Sequence, residues 1–109
     1  ARAKSQFEDR IFDRIVAFGY PPPQRNVKVA GSYGFDWEVD LYYPMHRKGI
    51  EVSPTGTHGV ESHNKDRRKE LDLKVQGVEV VTVTEETGDA ELDRALRALL
   101  GPPGSISAA

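Results

Sequence analysis

The sequence has 109 residues, with 15 Lys and Arg against 17 Asp and Glu, so its net charge is −2 with neutral His; this length suits one compact domain. The absence of Cys excludes a disulfide scaffold, a thiolate zinc site and a cysteine nucleophile, and no apolar run approaches the roughly 20 residues of a membrane helix. The near-neutral charge excludes a histone-like basic protein but permits a local nucleic-acid-binding surface.

The first third of the chain predicts a helix followed by a strand. Apolar residues at helical spacing indicate a helix over 4–18: Phe7, Ile11, Ile15 and Phe18. Ser5 and Glu8 fit a capping box at its start, and Gly19 is typical of a helix C-terminus. The three prolines that follow cannot continue the helix, and a short strand is predicted over 27–30.

A strictly alternating segment is the clearest signal in the chain. The alternation over 35–43 predicts a strand with one buried set of side chains: Phe35, Trp37, Val39, Leu41 and Tyr43. After a turn, a second strand is predicted over 50–53, with Ile50 and Val52 inward and Glu51 and Ser53 on the polar face. Residues 54–63 carry no periodicity and predict a loop.

A charged helix and a β-branched strand are predicted next. The helix, over 64–76, has Leu71 and Val75 on its apolar side, and Gly77 ends it. The run of valine and threonine over 78–84 is typical of a strand. This pair of elements continues the alternation of helices and strands that is typical of an α/β domain.

The C-terminal region predicts a last helix and a tail. Asp89 is expected to cap this helix, whose buried stripe is formed by leucines: Leu92, Leu96, Leu99 and Leu100. Residues 101–109 are typical of a flexible tail or linker. The sequence therefore predicts one α/β domain over 1–100, with the element order αβββαβα.

Two carboxylates occur on the neighbouring predicted strands, at Asp40 and Glu51. Adjacent strands bring such residues to one edge of the sheet, where two acids repel each other unless a divalent cation lies between them. Magnesium prefers such hard oxygen ligands, and it can polarise a phosphate and activate a water. The alternative is that both are ordinary polar residues of a half-exposed sheet, since the alternation predicts polar residues there anyway.

Histidines occur in or beside the predicted loop, at His58 and His63, and Asp66 begins the next helix. A carboxylate can orient an imidazole and prepare it to hold or deprotonate a water. The alternative is that the histidines are solvated and that the helix dipole favours Asp66 in the first helical turn.

The run from Lys65 to Glu70 is rich in charge of both signs. Its ordinary explanation is a solvated helix face with ion pairs at i,i+4 spacing. The sharper hypothesis is that Arg67, Arg68 and Lys69 contact nucleic-acid phosphates beside a catalytic site.

Several short motifs occur together in one order along the chain. They are Ser5-x-x-Glu8, Gln24, Val39-Asp40-Leu41, Ile50-Glu51-Val52, His58, Asp66-Arg67-Arg68 and the segment 71–84. Together they resemble the very-short-patch-repair-like endonucleases, a branch of the PD-(D/E)xK nuclease superfamily. The resemblance covers roughly residues 5–86, and the order αβββαβ agrees with the superfamily's core. It implies a restriction-endonuclease-like core with a mixed central sheet.

The resemblance also implies roles for individual residues. The residues that surround the metal and the attacking water would be Glu8, Asp40, His58 and Asp66. Glu51 matches the second acid of the superfamily pattern, and the Val52 carbonyl is a candidate backbone ligand of the metal. The sequence departs from the pattern at Ser53, where the usual Glu-x-Lys has its lysine. His58, or a lysine migrated onto the helix such as Lys69, is then needed to compensate.

We therefore expect a magnesium-dependent DNA endonuclease, a phosphodiester hydrolase that nicks one strand per active site and accepts Mn²⁺ in place of Mg²⁺. One alternative is a non-cleaving module of the same fold that binds DNA or a partner protein, and another is an RNA-cleaving enzyme. A cytoplasmic location is expected, as part of a larger DNA-processing protein whose other domains are partners. The sequence leaves the oligomeric state open.

Overall fold

The computed structural model describes residues 2–53 and 60–107, with the side chains of residues 5–53 and 67–107. Within this part of the chain, three helices and four strands form an α/β fold, which confirms the predicted class and element order. The elements are α1 (Arg2–Ala17), β1 (Gln24–Ala30), β2 (Asp36–Tyr43), β3 (Lys48–Val52), α2 (Val60–Val75), β4 (Glu79–Val83), α3 (Asp89–Leu100) and a 3₁₀ turn (Pro103–Ser105).

The four strands form one sheet in the order β1-β2-β3-β4. Antiparallel pairing joins β1 to β2 and β2 to β3, whereas β3 and β4 are parallel. Parallel neighbours need a long crossover connection, and α2 belongs to the connection between β3 and β4. The predicted mixed sheet is confirmed.

Helices α1 and α2 both end at a glycine with positive φ, +100° at Gly19 and +85° at Gly77. After α2, the amide of Gly77 donates to the Lys74 carbonyl at 3.0 Å, and the amide of Val78 donates to the Leu73 carbonyl at 2.8 Å. This pattern satisfies the last carbonyls of the helix and favours a residue without a Cβ. The ends predicted for both helices are confirmed.

The predicted starts of all three helices are wrong. Helix α2 begins at Val60 and not at residue 64, so residues 60–63, predicted as the end of a loop, are helical. Helix α1 begins at Arg2, so Ser5 lies inside the helix and not at its cap. The residue before α3 is Gly88, in extended conformation, and Asp89 is already helical. The Asp89 carboxylate forms an ion pair with Arg14 of α1, and an acid in the first turn is favoured by the helix dipole.

The sheet separates two clusters of buried side chains. Toward α1 and α3 lie Phe7, Ile11, Ile15, Tyr20, Leu41, Tyr43, Ile50, Val52, Val83, Leu92, Leu96 and Leu99. Toward α2 lie Trp37, Val39, Tyr42, Leu73 and Val78. Fully burying one large aliphatic side chain contributes roughly 1.5–3 kcal/mol, so both faces of the sheet are stabilised by the helices that cover them. The predicted inward positions of Ile50 and Val52 are confirmed.

The apolar side predicted for α2 is wrong. Leu71 and Val75 are 66% and 71% exposed, whereas Asp72 and Leu73 are buried against the sheet. The helix is therefore rotated relative to the orientation that its apolar residues indicate. The physical reason is that the Asp72 carboxylate accepts hydrogen bonds from Ser32 and Trp37, which hold this side of the helix against the sheet.

The segment after α3 lies against the domain as far as it is described. The Tyr20 hydroxyl donates to the Gly101 carbonyl at 2.7 Å, and Ile106 packs against the cluster beside α1 and α3. In the described ranges, none of the helices combines the length and apolar character needed to cross a membrane.

Candidate functional site

Strand β2 changes the face to which its side chains point at Asp40. Trp37 and Val39 pack toward α2, whereas Leu41 and Tyr43 pack toward α1 and α3. Residues two apart share a face on a regular strand, so the alternation is interrupted between these two pairs. Four residues of the predicted buried set are buried: Trp37, Val39, Leu41 and Tyr43. The prediction that they share one face is wrong, and Phe35 at the start of the set is 49% exposed.

Strand β1 changes face at the same level. The Arg25 guanidinium contacts Glu8 of α1, whereas Val27 packs against the cluster toward α2. Between them, Asn26 has a φ of +53°, a left-handed conformation that Asn tolerates better than most residues. The flanking strand pairs place Asn26 opposite Asp40. Two neighbouring strands thus break their alternation together, and polar side chains occupy the break.

Asp40 and Glu51 meet beside this break. The pairing of β2 with β3 includes Leu41 and Ile50, and the next two positions along are Asp40 and Glu51. The buried Asp40 carboxylate accepts a hydrogen bond from the Val52 amide at 2.8 Å, and the Asp40 amide donates to Glu51 Oε2 at 3.4 Å. The two carboxylates predicted from neighbouring strands are therefore neighbours in space.

Lys69 reaches the same place from α2. Its ammonium forms an ion pair with Glu51 Oε1 and donates to the Glu38 carbonyl on β2. The side chain is mostly buried, with its charge directed toward the sheet. Sequence reasoning grouped Lys69 with two arginines as a phosphate contact and also named it as the lysine that could replace the one missing at Ser53. The structure places the ammonium against Glu51 and the sheet, and both roles stay predictions.

Burial raises the pKa of Glu51 to about 7, because the surrounding protein disfavours the charged form. The Lys69 ammonium opposes this rise, and the neighbouring Asp40 adds to it. Glu51 Oε1 is inaccessible to solvent, and in the described part of the chain it has no hydrogen-bonding partner beyond the Lys69 ion pair. The site therefore holds a carboxylate whose charge is only partly compensated.

The residues at this place fit a magnesium ion by their chemistry. Within the described side chains, no three His, Asp or Glu residues converge as a complete metal site. Asp40 and Glu51 supply two hard oxygen donors, and Mg²⁺ is often held by one or two carboxylates with several waters. Glu51 Oε1 is buried against the Lys69 ammonium, so a metal ion at this place would have to share or replace that ion pair. The Val52 carbonyl, the third predicted ligand, follows Glu51 at the end of β3.

Glu8 lies on α1 beside the site. Its buried carboxylate accepts hydrogen bonds from the Arg25 guanidinium at 3.2 Å and from the Asn26 amide group at 3.5 Å. Asn26 is the residue opposite Asp40, so Glu8 is connected to the site through one side chain. This placement suits a role in positioning more than direct ligation.

Two predicted site residues fall outside what the structure describes. His58 lies in the segment 54–59, and the side chain of Asp66 belongs to the segment 60–66 for which only the helical backbone is described. Their proposed roles on the attacking water stay predictions. Ser53, the position of the missing lysine, donates its amide to the Val83 carbonyl at 2.9 Å and so continues the pairing of β3 with β4.

The two arginines predicted to contact nucleic acid, Arg67 and Arg68, directly precede Lys69 on α2 and are exposed. The Arg68 guanidinium carbon lies 6.0 Å from the ring centre of Tyr33, at the tip of the β1–β2 hairpin. Arg67 and Arg68 are thus free of the sheet, whereas Lys69 is turned into it.

Asp72 is an important residue that the sequence reasoning missed. Its carboxylate accepts hydrogen bonds from the Trp37 indole at 2.7 Å, from the Ser32 amide at 2.9 Å and from the Ser32 hydroxyl. Gln76 adds a hydrogen bond to the Ser32 hydroxyl at 2.7 Å. A Cβ at Gly31 would lie 2.8 Å from the Trp37 indole nitrogen, so the turn needs glycine there. A buried Trp needs an acceptor for its N–H, and that requirement was the available signal.

No family model, curated protein or solved structure matches this chain. A function for this chain therefore rests on the geometry of the site.

Proposed function

We propose that this chain is a metal-dependent DNA endonuclease domain with a restriction-endonuclease-like core. The convergence of Asp40, Glu51 and Lys69 at the break in the sheet carries the proposal. These are the two acids and the lysine of the PD-(D/E)xK pattern, with the lysine supplied by α2 in place of Ser53. Neither acid is an ordinary polar residue of an exposed sheet face, because both carboxylates are largely buried.

The arrangement of helices supports the same core. Helices α1 and α3 cover one face of the mixed sheet and α2 covers the other, so the acids lie where β2 and β3 meet the α2 face. Lys69 and the arginines follow one another on α2. A substrate phosphate attracted by the arginines would therefore arrive beside the acids.

Each residue has a distinct task in phosphodiester hydrolysis. Asp40 and Glu51 would hold the cation, and Mg²⁺ there would supply polarisation of the phosphate and a lower pKa for a coordinated water. The Lys69 ammonium lies against Glu51, beside the place proposed for the metal. From there it would stabilise negative charge that develops on the phosphate. The Val52 amide keeps the Asp40 carboxylate in one orientation. His58, oriented by Asp66, is assigned to the water, and Glu8 positions the site through Asn26.

The most direct test is the variant Asp40→Asn. Asn retains an oxygen that can accept the Val52 amide, whereas Asp40→Ala would leave that buried amide unpaired, at a cost of about 1–3 kcal/mol. We expect Asp40→Asn to lower the rate of DNA cleavage in Mg²⁺ or Mn²⁺ by about 10³-fold or more, because one charged ligand is lost. Supercoiled plasmid and nicked, branched and linear DNA are the substrates.

Thermal melting in EDTA, Ca²⁺ and Mg²⁺ provides the control for binding. A ligand raises the melting midpoint only if it binds the folded state, so the wild-type midpoint rises in metal and that of Asp40→Asn does not. Asp36→Asn, an exposed aspartate on the same strand, is the matched control and keeps the wild-type shift and rate. Cleavage that survives in Asp40→Asn contradicts the proposal.

One observation favours a second function, a non-cleaving module that binds DNA or a partner protein. The Lys69 ammonium already provides a positive charge to Glu51 and lies where a divalent cation would approach. If the ion pair keeps metals out, DNA binding persists in EDTA, cleavage is absent and no metal raises the melting midpoint. Competition between matched DNA and RNA strands separates a DNA enzyme from an RNA-cleaving one.

A further inference from the structure

Two aromatic side chains stand exposed at the tip of the β1–β2 hairpin. Tyr33 is 58% exposed and Phe35 is 49% exposed. Their ring centres are 6.1 Å apart and the ring planes are inclined by only 21°, so the two rings present nearly parallel faces. Large aromatic rings are costly to expose, and an exposed pair with a common orientation points to a ligand with flat apolar groups.

The tip is held in place by the hydrogen bonds of Asp72. Phe35 packs edge-on against Trp37, with ring centres 4.8 Å apart and planes at 73°, and the Trp37 indole donates to Asp72. Ser32, the residue before Tyr33, is bonded to the same carboxylate. The aromatic pair is therefore fixed in its exposed position before any ligand arrives, which lowers the entropic cost of binding.

The charges around the pair favour an anionic occupant. The Arg68 guanidinium lies over Tyr33, and Arg67 beside it is also exposed. The nearby acids on β2, Asp36 and Glu38, alternate with Phe35 along the chain and so point to the other face of the hairpin. Flat apolar rings beside guanidinium groups are what the bases and phosphates of an unpaired nucleic-acid strand require.

The aromatic pair also lies close to the proposed cleavage site. Lys69 contacts the Glu38 carbonyl and follows Arg68 on α2. Phe35 precedes Glu38 by three residues, about 10 Å along a strand. Stacked nucleotides advance about 3.4 Å each along one strand, so roughly three nucleotides cover this distance.

We propose that Tyr33 and Phe35 form a stacking platform for unpaired nucleotides of the DNA substrate, next to the scissile phosphate. This proposal rests on the proposed function, and it names the substrate class: DNA with a single-stranded segment, such as a gap, flap or branch, in preference to an intact duplex.

The test measures binding of fluorescently labelled DNA by anisotropy, in EDTA and at low ionic strength, so that no cleavage occurs. The Tyr33→Ala/Phe35→Ala variant is expected to bind single-stranded and gapped DNA 10- to 100-fold more weakly, since stacking on one aromatic ring contributes about 5- to 100-fold in affinity. Affinity for intact duplex changes less than about threefold, because phosphate contacts dominate there. Tyr33→Phe/Phe35→Trp, which keeps both rings, retains the wild-type affinity.

Met45→Ala is the control, because Met45 is an even more exposed apolar side chain, on the turn between β2 and β3. The single variant Tyr33→Ala controls for a folding defect in the double variant, because it keeps Phe35 and its packing against Trp37. Unchanged single-strand affinity in a folded variant overturns the platform. Lower self-association of that variant in sedimentation, with unchanged DNA binding, overturns it in favour of a protein interface.

The failure of this proposal is distinguishable from that of the proposed function. If Asp40→Asn abolishes cleavage while the aromatic variant binds and cleaves gapped DNA like the wild type, the nuclease stands and the platform falls. If no variant affects cleavage because none occurs, but the aromatic variant loses single-strand affinity, the platform stands on a binding module.

Discussion

Helix α2 directs Lys69 and Asp72 toward the sheet within one turn. Two carboxylates lie there, Asp72 itself and Glu51, the ion-pair partner of Lys69, and their surroundings differ. The Asp72 carboxylate accepts hydrogen bonds from the Trp37 indole and from the amide and hydroxyl of Ser32, and these hydrogen bonds hold its pKa below the ordinary value. Glu51, the ion-pair partner of Lys69, is buried, and burial raises its pKa to about 7 against the opposing effect of that ammonium.

Under the proposed function, the difference distinguishes a structural carboxylate, Asp72, from a candidate metal ligand, Glu51. Hydrogen bonds stabilise the charge of Asp72, and the same hydrogen bonds join the β1–β2 hairpin to α2. Glu51 retains an uncompensated part of its charge in a buried place, which is unfavourable for the fold alone but favourable for binding a cation. Perturbed carboxylates of this kind are typical of catalytic sites, and fully bonded ones are typical of cores.

The largest effect that follows from this contrast is on activity. We expect Glu51→Gln to lower metal-dependent cleavage by about 10³-fold, because it removes one charged ligand of the proposed site. Asp72→Asn removes a buried carboxylate outside the proposed site and changes the cleavage rate less than about threefold at a temperature where the variant is folded. Initial rates on gapped DNA in Mg²⁺ give both numbers. Equal loss in the two variants contradicts the distinction.

The second effect is on stability and has the opposite order. Asp72→Ala leaves the Trp37 indole and the Ser32 amide without their acceptor, so the melting midpoint is expected to fall by roughly 5–15 °C. Glu70→Ala, on the exposed side of the same turn of α2, serves as the control and shifts the midpoint by roughly 2 °C or less. A midpoint for Asp72→Ala close to that of the control shows that water replaces the lost acceptor.

The elements of the fold could be predicted because their signals are local. Glycines with positive φ follow each of the three described helices, and β-branched runs and alternation mark the strands. The change of face at Asn26 and Asp40 could not be predicted, because it involves two paired strands at once and leaves the pattern of apolar residues unchanged. From the sequence alone, the alternation continues through Asp40 without a break.

The orientation of α2 was mispredicted for a related reason. An apolar stripe through Leu71 and Val75 is the ordinary expectation for a surface helix, but tertiary hydrogen bonds to Asp72 rotate the helix the other way. The two acids could be named from their strands, and their proximity follows from strand pairing. The place of Lys69 depends on the helix rotation, so the choice between a phosphate contact and a partner of Glu51 needed the structure.

The smallest predicted effect is a dependence of stability on pH. Between the ordinary Glu pKa near 4.5 and the folded value of about 7, the folded state binds more protons than the unfolded chain at Glu51. The free energy of unfolding therefore falls as the pH rises through this window, by an amount on the order of 1–2 kcal/mol after allowance for the coupling to Asp40 and Lys69. Glu51→Gln lacks this loss, so at about pH 8 it should unfold at a higher denaturant concentration than the wild type.

Glu79 provides a control of opposite sign, since the Lys48 ammonium 2.6 Å away holds the pKa of its carboxyl below the ordinary value. Its contribution is present above pH 4.5 and lost in acid, so Glu79→Gln slightly lowers stability at about pH 8 where Glu51→Gln raises it. Because Glu79 is half exposed, solvent screening limits its effect to roughly 0.5 kcal/mol. Urea unfolding at about pH 5 and pH 8 compares the variants. If both variants lose stability at the higher pH, Glu51 is stabilised by its ion pair and is not the strained carboxylate that the site requires.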